Sequence, residues 1–237
     1  TLATGRSELG TAPVAQALDV HLGCVVFNGG GLWCPRTETL LEERLLSNRS
    51  VARSLAFARG QGLHTVVMVA GRKFATPPRT EVERRGLRGL EGLEVVEWEA
   101  LPTENVMRIS VYGADHGEAG ELAAALEREV DQPLYLTHFP LAWLAEHRGS
   151  PLQVVDVQPP CRGKGEALRY LAEEHGIAPE RVVAVGDATN DIPMFERAGL
   201  AVAMGKAMPE AAASADRVIG DCNGDALAEL IDELFLA

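Results

Sequence analysis

The 237 residues leave room for one large domain or two smaller ones, and 46% hydrophobic with 24% charged residues is the balance of a soluble globular chain. A formal net charge of −12 argues against nucleic acid as a partner, because such binding rests on Lys and Arg neutralising phosphates. No stretch approaches the ~18 apolar residues of a membrane span, and the first residues do not read as a signal peptide, so no membrane partner is expected.

Thr1–Ala3 read as the end of a strand, followed by a turn at Thr4-Gly5-Arg6. A hydroxyl followed by glycine there can offer an O–H and backbone N–H groups to a phosphate, or form a plain Ser/Thr turn. Ser7–Leu18 is helical in pattern, with a break expected near Pro13. Cys24–Phe27 is a short buried strand ending in Asn28-Gly29-Gly30-Gly31, where glycines bring backbone close to a neighbour. The spacing fails the dinucleotide fingerprint, since Cys34 stands where the third glycine is needed.

From about Arg36 to Ser150 the texture changes. Strands are expected at Leu40–Leu46, His64–Val69, Val95–Trp98, Val106–Tyr112 and Leu134–Thr137, with Met107, Ile109 and Val111 on one face. Helices are expected at Val51–Arg59, opened by Ser50, and at Glu118–Val130. Gly71-Arg72-Lys73 reads as a turn whose cations reach a substrate anion or coat a solvated surface, and Pro77-Pro78 and Arg84-Arg85 read as exposed loops. Leu152–Val157 then leads back to the core, giving a core domain of residues 1–35 and 151–237 with an α+β insertion at 36–150.

Gly163-Lys164-Gly165 precedes a helix over Glu166–His175 that Gly176 stops. The P-loop pattern fails at Gln158 and Gly165, but a lysine before a helix, in what its flanking glycines predict to be an exposed loop, strengthens an anion site. Val182–Val185 is a buried β-branched strand running into Gly186-Asp187-Ala188-Thr189-Asn190-Asp191, and Pro193 opens the next helix. In a parallel α/β sheet the loop at a strand's carboxyl end faces the ligand crevice. Two carboxylates held there repel by about 4 kcal/mol at an effective dielectric near 20, and a divalent cation with oxygen preference, Mg²⁺, removes that cost. The remaining elements are a strand at Leu200–Met204, an edge strand at Ala215–Ile219, and an amphipathic helix over Asn223–Phe235 packed through Leu227, Leu230, Ile231, Leu234 and Phe235. Cys24, Cys34, Cys161 and Cys222 have no CxxC spacing and are expected as reduced thiols in a cytoplasmic protein. The six histidines have no metal-ligand spacing.

GDATND with its sequel IPMFERAGLAVAMGKAMPEAAASAD resembles the fourth motif of haloacid dehalogenase (HAD) superfamily phosphatases, Cof-like branch. TGR at Thr4 is similar to the second motif, and Pro159, Lys164, Gly165, Ala167 and Leu168 fit the third; Lys206 departs from the branch's usual pattern. The resemblance implies a parallel α/β core with an inserted α+β cap. It implies a Mg²⁺-dependent phosphatase of a small phosphorylated metabolite, such as a sugar phosphate, working through an aspartyl-phosphate. It places Asp187 and Asp191 at the metal, and Thr4, Gly5, Arg6, Asn28, Gly29, Lys164 and Asn190 at the substrate, with Thr4, Lys164 and Asp187 in catalysis. The nucleophile motif DxDGT is absent from these residues, so a preceding segment of about 25–40 residues is expected to carry it. Two alternatives remain, a phosphomutase of the same superfamily and a non-catalytic phosphometabolite-binding protein. The oligomeric state has no signal in the sequence.

Overall fold

The computed structural model describes residues 1–236 and divides into two compact units, Thr1–Cys161 and Arg162–Ala237. In the first, α1 (Glu8–Ala17) starts at Ser7, whose hydroxyl accepts from the Gly10 amide. The expected break at Pro13 does not occur. Pro13 forfeits one helical hydrogen bond, and buried Thr11 and Ala15 on either side hold the helix. β1 (Cys24–Val26), β2 (Gly31–Cys34) and β3 (Thr39–Glu43) form an antiparallel sheet in that order. Ala3 bridges Val25 in parallel, so the expected strand end at Thr1–Ala3 lies beside β1.

Next come α2 (Asn48–Gly60), β4 (His64–Val69), β5 (Arg72–Ala75), α3 (Glu81–Gly86), β6 (Leu93–Val95), β7 (Arg108–Gly113), α4 (Ala119–Val130), β8 (Tyr135–Pro140) and β9 (Gln153–Gln158). Ser47, not Ser50, caps α2. Arg84 and Arg85 lie on α3 and pair with Glu81. The six-stranded sheet runs β6-β5-β4-β7-β9-β8. The stretch expected to return to the core is itself part of this sheet, because β9 is hydrogen-bonded between β7 and β8. A valine-rich strand reads the same in any buried sheet, so composition alone did not say which sheet it joins.

Strand alternation sends Val67, Ile109, Val111, Val155 and Val157 against α2 and α4, where Val51, Leu55, Leu122 and Leu126 meet them. Val66, Met68, Tyr112 and Val154 face the other way and pack with Cys24, Val26, Phe27 and Trp33. Met107 joins this second cluster rather than Ile109 and Val111, since it lies just outside β7. On β7 this leaves Arg108 and Ser110 on the Tyr112 side, although both are buried.

The second unit holds α5 (Glu166–His175), β10 (Val183–Gly186), α6 (Ile192–Phe195), β11 (Leu200–Ala203), α7 (Pro209–Ala213), β12 (Arg217–Val218) and α8 (Ala226–Ile231). β10, β11 and β12 pair in parallel, with Val183 opposite Leu200 and Val202 opposite Arg217. Gly176 ends α5 in the left-handed conformation at φ 63°. The expected terminal helix is shorter, passing into a wider turn at Asp232–Leu236, and of its predicted apolar face only Leu230 is buried. Leu227, Ile231, Leu234 and Phe235 are exposed, because two-residue β12 gives the helix little to pack on within this unit. No helix among the described residues is long and apolar enough to cross a membrane.

Candidate active site

In the first unit Thr4-Gly5-Arg6 forms a turn whose three carbonyls are all tied down. The Asn28 amide donates to the Thr4 carbonyl at 2.9 Å and the Phe27 amide to the Arg6 carbonyl at 2.9 Å. The Arg108 guanidinium donates to the Gly5 carbonyl at 2.5 Å. The Thr4 hydroxyl accepts from the Arg6 amide at 3.1 Å, so its own hydrogen is left to donate elsewhere. The Gly5 amide has no partner among the described residues. The Arg6 side chain is exposed.

Facing this turn, Phe27, Asn28 and Gly29 take φ values of 52°, 50° and 99°. Two consecutive side-chain-bearing residues in that region cost about 1–2 kcal/mol each, a strain that tends to mark functional loops. Buried Asn28 donates from Nδ2 to the Thr137 hydroxyl at 3.2 Å, and Gln158 donates to the same hydroxyl at 3.2 Å. A Cβ on Gly5 would lie 3.0 Å from Asn28 Oδ1, so the glycine lets the two loops approach.

In the second unit the acidic loop is built around Asp191, which is 2% exposed. Its Oδ2 accepts from the Asp187 and Ala188 amides at 2.8 and 3.0 Å, and its Oδ1 takes Lys164 Nζ at 2.6 Å. Gly186 and Gly165 are required by close approach: a Cβ on Gly186 would sit 2.3 Å from Asp191 Cγ, and one on Gly165 would sit 2.7 Å from the Pro193 carbonyl oxygen. Lys164 is not in an exposed loop, because Gly163 and Gly165 are buried and its side chain is 11% exposed. Asp187 is exposed, and its carboxylate has no hydrogen bond or ion pair among the described residues. Asn190 stands in the same turn, Thr189–Asp191. Among the described residues no group of three or more His, Cys, Asp or Glu side chains converges as a metal cage.

Thus Lys164, Asp187, Asn190 and Asp191 are gathered in one unit, and Thr4, Gly5, Arg6, Asn28 and Gly29 in the other. Other cations are accounted for locally. Arg72 lies on β5, forks onto Glu94 and stacks 4.6 Å above Phe74. Lys73 is buried and donates to the Glu91 carbonyl, and burial pulls its pKa down. Lys206 pairs with Asp221, whose carboxyl that contact lowers to about 2. Among the described residues none of the four cysteines forms a disulfide. The sequence alone did not single out Arg108, the one cation in the strand Arg108–Gly113. It also missed the steric need for Gly186 and Gly165, which flank the charged residues of both motifs.

Residues 1–231 match the haloacid dehalogenase-like hydrolase family. The chain is 31% identical over 234 residues to an HMP-PP phosphatase of Cronobacter sakazakii, covering 97% of this chain and 80% of that protein. It is 27% identical over 244 residues to a pyridoxal phosphate phosphatase of Escherichia coli, covering 97% and 84%. A haloacid dehalogenase-like hydrolase from Bacteroides thetaiotaomicron shares the fold at TM-score 0.78 and 23% identity, covering 99% of this chain and 86% of that one. The chain belongs to the haloacid dehalogenase-like hydrolase family.

Proposed function

We propose that the protein is a Mg²⁺-dependent phosphatase of a small phosphorylated metabolite. Similarity to phosphatases of HMP-PP and pyridoxal phosphate supports the substrate class. The observation that carries the reading is the division of labour in the acidic loop. Asp191 spends both oxygens on the loop amides and on Lys164, while Asp187 beside it stays exposed and unpaired. A hard oxygen donor of that kind fits Mg²⁺, which takes one or two carboxylates and keeps several waters. Asp187 would hold the ion, and Asp191 would shape the loop rather than ligate directly. When bound, Mg²⁺ would polarise the phosphoryl oxygens and offset their charge.

The chain's own residues supply the rest. The Thr4 hydroxyl and the Gly5 amide donate to phosphoryl oxygens, with Arg6, Asn28 and Gly29 shaping that turn. Lys164 offsets charge that develops on the transferring group, and Asn190 orients Asp187 or a phosphoryl oxygen. Transfer to an aspartate followed by hydrolysis is the chemistry we assign. No Asp-x-Asp pair occurs in the 237 residues, so none of them is assigned as nucleophile.

Asp187→Asn in the full-length protein should abolish Mg²⁺-dependent phosphate release from p-nitrophenyl phosphate. Its unfolding free energy should stay within about 0.5 kcal/mol of wild type, because the exposed carboxylate makes no hydrogen bond or ion pair among the described residues. Activity within a few-fold of wild type would remove Asp187 from the metal.

A further inference from the structure

Arg108 lies on β7 with its side chain 8% exposed, and no part of the proposed chemistry uses it. Its Nη1 donates to the Gly5 carbonyl at 2.5 Å and lies 3.5 Å from Asp156 Oδ2. Nη2 lies 3.0 Å from Met68 Sδ, and the guanidinium sits 5.2 Å above the Phe27 ring. Asp156, on β9 directly opposite Ser110, accepts the Ser110 hydroxyl on its other oxygen. A buried ion pair must be held by such extra bonds to offset its desolvation, and well-packed apolar groups in its place are often as stable or more so. The charges therefore stand here for what they touch.

The Gly5 carbonyl and the Arg6 amide belong to one peptide unit. A cation on the carbonyl polarises that unit and strengthens its N–H as a donor. The Arg6 N–H is the group that donates to Thr4 Oγ1, which fixes the hydroxyl as an acceptor on that side and frees its hydrogen for another oxygen. Arg108 also covers the ring of Phe27, whose φ of 52° and amide bond to the Arg6 carbonyl belong to the strained loop facing the turn. One side chain thereby acts on both loops.

We propose that Arg108, held by Asp156 and Ser110, is a positioning residue that sets the Thr4 hydroxyl as a donor to the substrate's phosphoryl group. This rests on the phosphatase reading of Thr4. The coupling runs from the middle of the six-stranded sheet to the turn through a single guanidinium. Arg108 itself touches neither phosphate nor leaving group.

The experiment is a double-mutant cycle in the full-length protein with Arg108→Gln and Thr4→Val. It reads kcat/KM on p-nitrophenyl phosphate and, separately, binding of inorganic phosphate by calorimetry. Arg108→Gln should lower kcat/KM by about 10–100-fold, the scale of a small misplacement of a reacting contact. In the Thr4→Val background the same change should have little further effect. Arg108→Lys, which keeps the charge but loses the planar fork, should fall between, and it is the variant read if Arg108→Gln does not fold. Equal fold-losses with and without the Thr4 hydroxyl would overturn the proposal, because a residue needed only for packing acts independently of that hydroxyl. A wild-type protein that releases no phosphate would sink the phosphatase reading instead. The calorimetric cycle would then decide the coupling alone: non-additive loss of phosphate binding supports it, and additive loss overturns it.

Discussion

The two candidate clusters are built in opposite ways. In the second unit the Asp187–Asp191 loop is nearly self-contained. Asp191 bonds amides three and four residues back, its cation comes from 27 residues away, and the glycines that allow the approach are inside the same two motifs. In the first unit the Thr4 turn owes its shape to distant partners: Val25 and Asn28 across the small sheet, and Arg108, 103 residues from Gly5, out of the large one. A loop that carries its own framework can be recognised wherever its letters occur. A loop shaped from outside is recognisable only when its outside is known.

The sharpest way to break this contrast is Asp191→Ala. It strands the Lys164 charge and two loop amides together, so chemical denaturation should give a loss of about 3–5 kcal/mol, along with loss of activity. A loss under about 1 kcal/mol would mean that the loop does not depend on its own carboxylate. Lys164→Ala should come next, lowering kcat/KM by about 10²–10³. It should also lower stability by about 1–3 kcal/mol, since Asp191 keeps its amides but loses its cation; an unchanged melting temperature would show the pair to be solvated. Gly186→Ala probes the same framework sterically. The new Cβ would fall 2.3 Å from Asp191 Cγ, so overpacking should cost about 1–3 kcal/mol. A stable, active alanine variant would show that Asp191 can move aside.

A pH titration sharpens the other side. His64, on β4 of the large sheet, is buried with Nδ1 against the Thr76 hydroxyl, and burial lowers its pKa from 6.5 to about 4. The unfolded chain therefore takes up this proton first as acid is added. The contribution of neutral His64 is intact above about pH 6.5 and is lost as the pH falls toward 4. Unfolding free energies of wild type and His64→Gln measured between those limits should converge on acidification. Parallel curves would show that His64 does not titrate on unfolding.

Several features were legible in the sequence because their causes are local. Gly176 stops α5, Pro193 sits in the first turn of α6, and the Gly186–Asp191 motif closes on itself in the way its residue types require. Family membership followed from the same compact motifs. Other features had causes elsewhere in the chain. The valine-rich strand at 153–158 could have joined either sheet, and pairing with β7 and β8 decided which. The periodic residues of the terminal helix could not say how much neighbouring surface would cover them, and in this unit most stay exposed. The sequence left open whether Asp191 ligates directly or supports Asp187, and burial and hydrogen bonds tie Asp191 to the loop while Asp187 stays open. Arg108 was the single charge in its strand, and the packing of β7 brought it against Asp156 and the Thr4 turn. Short-range geometry is written in spacing, whereas which groups far apart in the chain meet is decided by the packing of sheets and loops.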